Sequence, residues 1–176
     1  GNLYLTAGDD TNPFESSGFT PIDERDGREA FDAQRSSGNT NDLRGSVLKI
    51  TPQDDGSYTI PDDNLFVDDQ YDDSLVRDEI YGMGFRNPFT AAVDSATDEL
   101  WVADYGPDSG SWDASRGPMG TTEYAKVDEP GFYGWPYFTG HAVPYRDYDF
   151  ETGESGDIFD PENPTNDSPN NTGLTE

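Results

Sequence analysis

The chain has no cysteine in its 176 residues, which removes disulfides, thiolate metal sites and thiol catalysis together. Lysine is nearly absent: Lys49 and Lys126 are the only two, and the remaining cations are all arginine. Without a cluster of basic residues the chain has nothing to neutralise phosphates, so nucleic acid and anionic membrane are not expected partners. No apolar run approaches the roughly 18 residues of a membrane-spanning helix. Gly1 opens directly into a strand-like run, with no signal-peptide pattern. Histidine occurs once, as His141. No Ser/His/Asp set, zinc-ligand spacing or phosphate-cradling glycine loop competes for a function.

Acid is what the chain has instead. Asp and Glu number 37 against 10 Lys and Arg, a formal net charge of -27, yet 13% of residues are aromatic. A disordered acidic chain lacks aromatic and β-branched runs; here Leu3 to Thr6, Val47 to Thr51 and Leu100 to Ala103 read as strands. The charge therefore sits on a folded surface, where self-repulsion weakens the compact state unless salt screens it. Together with the scarcity of lysine this points to a halophile, the alternative being an ordinary acidic secreted protein.

Along the chain, Asn2 to Ala7 reads as a strand ending at Gly8-Asp9-Asp10. Residues 11–38 form a polar excursion too long for a hairpin, within which Gly27 to Arg35 reads as a short helix. Arg44 to Thr51 and Ser57 to Ile60 form a hairpin across Asp55-Gly56. Gln70 to Ile80 reads as a helix or as an extended approach to a strand. Thr90 to Asp94 and Leu100 to Asp104 form a second hairpin. From Tyr145 to Glu176 turn formers and acids dominate, and a loop-rich tail is expected. Leu3 to Thr6, Leu48 to Thr51 and Leu100 to Ala103 are candidates for equivalent strands of successive repeats.

Three segments carry a signature: Gly84-Phe-Arg-Asn-Pro88, Asp104-Tyr-Gly-Pro107 and Phe132-Tyr-Gly-Trp-Pro136. Each is a Gly/Pro turn placed after a β-like run. Their order resembles the pyrroloquinoline quinone (PQQ) dependent glucose/sorbosone dehydrogenases. The likeness extends to Asp32 to Gly45, Ile60 to Phe66 and the closing Asn166 to Glu176. It implies an all-β fold, part of a six-bladed β-propeller of four-stranded antiparallel blades. At roughly 40 to 50 residues per blade, residues 1–176 supply about three blades, with a loop insertion at 11–38. The remaining blades are expected outside this chain.

The resemblance also assigns chemistry. PQQ is a planar ortho-quinone with three carboxylates, and a guanidinium fork suits its oxygens; the cofactor contacts fall to Arg86 and Asn87, the alternative being that Arg86 only caps carbonyls. The Gly106 and Pro107 carbonyls are the expected ligands of the calcium that meets PQQ, a simple turn being the alternative. Tyr105 stands where soluble glucose dehydrogenases have Gln. Glu123 with the Tyr133 carbonyl is the candidate second calcium site, while Asp104, Asp108 and Asp113 read as solvated charge. Asp9, Asp10 and Tyr105 are the candidate sugar contacts, the alternative at Asp10 to Pro13 being turn chemistry alone, and Tyr133 and Trp135 are either a floor for a sugar ring or core. The family's general-base His is expected outside this chain, because His141 does not match it, so the chain alone is expected to be inactive. Two functions follow: a PQQ- and calcium-dependent aldose or sorbosone dehydrogenase acting on a small sugar, or a calcium-stabilised propeller serving as a carbohydrate- or protein-interaction module of a larger secreted protein. An extracellular or cell-surface location is expected for either.

Overall fold

Short apolar runs bounded by Gly, Pro and Asp become strands. The fold is all-β as expected: among the described residues the only helix is two 3-10 turns, Glu29–Phe31 and Ala33–Arg35. The computed structural model describes residues 1–68 and 70–176.

The larger sheet contains β1 (Leu3–Ala7), β2 (Ser46–Pro52), β3 (Tyr58–Thr59), β4 (Ile80–Met83) and β8 (Gly131–Phe132). Its order is β1-β2-β4-β8 with β3 paired to β2, and only β4 and β8 run parallel. The second sheet is an antiparallel meander of β5 (Pro88–Asp94), β6 (Glu99–Asp104) and β7 (Glu123–Lys126). Two ribbons complete the chain, β9 (Phe138–Thr139) with β10 (Val143–Pro144) and β11 (Arg146–Tyr148) with β12 (Ser155–Ile158).

Strand alternation builds the core. Val47 of β2 joins Tyr81, Phe85, Leu100, Val102 and Val127, a cluster that fastens the two sheets together. Its neighbour Leu48 points to the other face, packing with Phe66, Val76, Ile80 and Met83. A third cluster, Phe19, Ala33, Trp135 and Tyr145, draws the 11–38 excursion inward. There Thr20 Oγ1 donates to the Pro136 carbonyl at 2.7 Å and Arg116 Nη2 donates to the Thr20 carbonyl at 3.1 Å.

Several expectations need correction. Leu3 to Thr6 and Leu48 to Thr51 are not equivalent strands of successive repeats: β1 and β2 are antiparallel neighbours in one sheet, with Leu5 opposite Leu48. Gln70 to Ile80 is not a helix; it runs through turns until β4 begins at Ile80. Gly27 to Arg35 contains the two 3-10 turns rather than one helix. The tail is not strandless, since β11 and β12 lie within it.

The segment closing the chain is also docked. Asn166 Nδ2 donates to the carbonyls of Gln34 (2.8 Å) and Gly38 (2.7 Å), Ser168 Oγ donates to Asp32 at 2.5 Å, and the Leu174 amide donates to Thr40 Oγ1 at 2.8 Å.

Candidate cofactor and substrate cleft

The site is built at the point where β4 hands the chain to β5. Gly84 has φ +83, and a Cβ there would lie 2.6 Å from the Phe132 ring, so only glycine makes this turn. The turn delivers Arg86 and Asn87 just before Pro88, which starts β5 opposite Asp104 at the end of β6. Asp104 uses that register: Oδ2 accepts the Arg86 N–H at 3.0 Å and Oδ1 the Asn87 N–H at 2.6 Å. Burial pushes the Asp104 carboxyl up to about 6, the two amide bonds oppose this, and Glu123 and Asp9 add repulsion. The Arg86 carbonyl accepts the Asp9 amide at 2.8 Å and the Asn87 carbonyl accepts the Tyr105 amide at 3.0 Å. The Arg86-Asn87 turn is thereby tied to two separate segments, at Asp9 and at Asp104-Tyr105.

Its side chains line a cleft of about 840 Å³. Arg86 Nη1 donates to the Tyr105 carbonyl at 3.1 Å, and the guanidinium carbon lies 5.9 Å from the Tyr105 ring centre and 6.0 Å from that of Trp135. Among the described residues the Asn87 side-chain carboxamide makes no hydrogen bond, so it is available to a ligand at the cleft.

Asp9 and Asp10 also line the cleft. Asp9 is buried, accepting the Thr11 amide on Oδ1 at 3.1 Å and the Trp135 indole Nε1–H on Oδ2 at 2.8 Å. Burial pushes its carboxyl above the usual range against those hydrogen bonds and the attraction of Arg86. Asp9 thus anchors Trp135 within the core, and Trp135 is core rather than an open floor. Asp10 is exposed and accepts from Arg44 Nη1 at 3.2 Å.

Tyr105 is 48% exposed and is not among the residues lining the cleft, which it meets through Arg86. Gly106 is buried, and the Thr121 carbonyl fills the place a Cβ would take. Among the described residues neither the Gly106 nor the Pro107 carbonyl accepts a hydrogen bond, which leaves both free for a cation.

Glu123 Oε1 accepts the Gly140 amide at 2.5 Å and the Thr139 hydroxyl at 3.4 Å, and burial pushes its carboxyl up. Tyr133 stacks on Phe85 with ring centres 4.9 Å apart, donates its hydroxyl to the Glu129 carbonyl at 2.8 Å, and has its own acidity pushed up to about 12 by burial. No hydrogen bond joins Glu123 to Tyr133 among the described residues, and no cluster of three or more carboxylate or imidazole side chains suited to a metal occurs among them. Calcium at either place would rest largely on carbonyl oxygens. His141 is an exposed turn residue away from the cleft-lining set.

Asp104 is the main correction, since it organises the site instead of standing as solvated charge. The available signal was its place at the end of the β5–β6 hairpin, directly opposite Pro88. Arg35, also on the cleft wall, lies in the Asp32 to Gly45 stretch of the resemblance, which assigns it no role.

The chain matches the family model described as Glucose / Sorbosone dehydrogenase over residues 1–168. Over 124 residues it is 27% identical to the aldose sugar dehydrogenase YliI of Escherichia coli, covering 66% of this chain but only 28% of that protein. The soluble aldose sugar dehydrogenase of Escherichia coli in its apo form aligns with 26% identity over 79% of this chain and 28% of its own, at a TM-score of 0.47. A glucose dehydrogenase structure aligns with 21% identity over 82% of this chain and 32% of its own, at a TM-score of 0.49. No helix among the described residues is long and apolar enough to cross a membrane. The family match spans the whole of the cleft and all three Gly/Pro turns, and the chain belongs to the glucose/sorbosone dehydrogenase family.

Proposed function

We propose that this chain is part of a PQQ- and calcium-dependent dehydrogenase of aldose or sorbosone sugars, with further propeller blades supplied outside these 176 residues. The observation that carries the reading is the Arg86-Asn87 turn, its backbone locked by Asp104 and its side chains presented to the cleft. The donor set suits the cofactor: Arg86 uses one donor on Tyr105 and keeps the rest of its fork for carboxylate or quinone oxygens, and Asn87 offers an uncommitted amide. Bound there, PQQ would supply a quinone that takes hydride from the sugar, with calcium as Lewis acid.

The chain's own residues bind and orient. Arg86 and Asn87 would hold PQQ, and the unbonded carbonyls of Gly106 and Pro107 would hold calcium. Tyr105, Asp9 and Asp10 would border the space left for a sugar, with Asp9 acting through Trp135 and Asp10, exposed and paired to Arg44 through Oδ2 alone, the one that could reach a hydroxyl. The Glu123 contact with Gly140 fixes the 139–140 turn, and the Tyr133 carbonyl would complete a second calcium site with it. The acidic surface fits a protein of the cell exterior working in high salt.

The test is PQQ titration, in the presence of calcium, of the full-length protein that contains this chain. Arg86→Ala is expected to weaken PQQ by about 1.5 to 3 kcal/mol, the range for hydrogen bonds to charged groups. Arg86→Lys should recover little, because an ammonium lacks the planar fork. An unchanged PQQ affinity in Arg86→Ala rules the reading out.

A further inference from the structure

Acidic residues outnumber basic ones 37 to 10 in this protein, so a guanidinium without a carboxylate partner is not short of candidates. Arg25, Arg28, Arg44, Lys49 and Lys126 all form ion pairs. Arg35, Arg77, Arg86, Arg116 and Arg146 form none among the described residues, and of these Arg35 and Arg86 line the same 840 Å³ cleft.

Arg35 is the more telling of the two. Among the described residues its guanidinium donates no hydrogen bond, and its Nε is buried without a partner. An unsatisfied buried donor is unfavourable, a penalty that a ligand oxygen would remove. Glu29 lines the same cleft with no side-chain hydrogen bond or ion pair among the described residues, while the other carboxylates nearby are already committed. Asp32 accepts the Gln34 amide, Ser168 and Asn170; Asp42 is paired with Arg44; Asp9 holds Thr11 and Trp135. The backbone beneath Arg35 is fixed, since its carbonyl accepts Asn39 Nδ2 at 2.9 Å and the adjoining Gln34 carbonyl accepts Asn166 Nδ2 at 2.8 Å. A fixed, unpaired guanidinium facing a cleft is a preorganised receptor for a planar anion.

We propose that Arg35 is a second anion-binding residue of the cleft, receiving a carboxylate of the bound molecule on the wall shared with Arg86. This rests on the reading of the cleft as the cofactor and substrate site. The carboxylate has two possible sources, PQQ itself or a sugar acid such as a uronate, and the chemistry at Arg35 is the same for both.

Calorimetric titration of the full-length protein separates them, with three probes: PQQ with calcium, glucuronate, and glucose as the neutral counterpart of glucuronate. Arg35→Gln is expected to weaken one carboxylate probe about 10- to 100-fold while the circular dichroism spectrum and glucose affinity stay as in the wild type. Loss confined to PQQ assigns the carboxylate to the cofactor; loss confined to glucuronate assigns it to the substrate. Arg35→Lys, which keeps the charge but not the fork, is expected to bind the affected probe several-fold more weakly than wild type and serves if Arg35→Gln does not fold. The proposal is overturned if neither carboxylate probe responds, if glucose loses as much as they do, or if wild type binds neither. Glucuronate binding that depends on Arg35 in a protein that ignores PQQ would sink the proposed function and keep the Arg35 assignment. PQQ binding that needs Arg86 but not Arg35, with glucuronate equally indifferent, would do the reverse.

Discussion

Trp135 joins the core to the cleft through one side chain. Its indole N–H holds the buried Asp9 at 2.8 Å, its ring meets Tyr145 edge-on at 6.1 Å, and the Arg86 guanidinium lies over it. Trp135→Phe removes the donor and leaves Asp9 Oδ2 buried without a partner. The expected loss is about 1 to 3 kcal/mol of stability, read from urea unfolding. Tyr105→Phe is the matching control: Tyr105 is 48% exposed and serves Arg86 through its carbonyl, so its stability should stay within about 0.5 kcal/mol of wild type. Equal losses in the two variants would mean that the Asp9 bond carries no special weight.

Among the elements, the turn holding Glu24 and the β11–β12 ribbon meet across an acidic seam. Partial desolvation pushes the Glu24 carboxyl up to about 7, and Asp167, Asp32, Asp147 and Asp149 add repulsion. The folded state therefore keeps a proton on Glu24 between its ordinary value of 4.5 and about 7, where the unfolded chain has lost it. Stability contributed here declines as pH rises through that window. Glu24→Gln should melt higher than wild type at pH 7.5 and match it near pH 4 by calorimetry; an equal difference at both would place the effect elsewhere. This seam also shows where sequence reading stops. The β2–β3 and β5–β6 hairpins were legible because alternation and turn residues are local. The β11–β12 ribbon was not, because Arg-Asp-Tyr against Ser-Gly-Asp-Ile buries little and is held by backbone pairing. Nor was β4, whose Ile-Tyr-Gly-Met is buried on both faces and so lacks alternation. Arg86 and Asn87 were visible in their motif. The role of Asp104 depends on a pairing register, and the unpaired state of Arg35 depends on which acids other residues have taken.

Across the whole molecule the net charge of -27 is the dominant unbalanced quantity. At molar salt the Debye length shrinks to about 3 Å, so the melting temperature is expected to climb between low salt and molar KCl. A flat response in a scanning measurement would remove the halophilic reading. The closing segment has a consequence in time rather than in energy. Its bonds to the 32–41 stretch join residues as far as 138 apart in sequence, and the buried carbonyls of Gln34 and Gly38 and the carboxylate of Asp32 depend on them. While the chain is being synthesised those early groups wait for Asn166, Ser168 and Asn170 to leave the ribosome. Contacts this distant form slowly, so the wall that carries Arg35 is among the last parts of the cleft to acquire its shape, and a nascent chain halted before Asn166 would present the Arg86 turn without it.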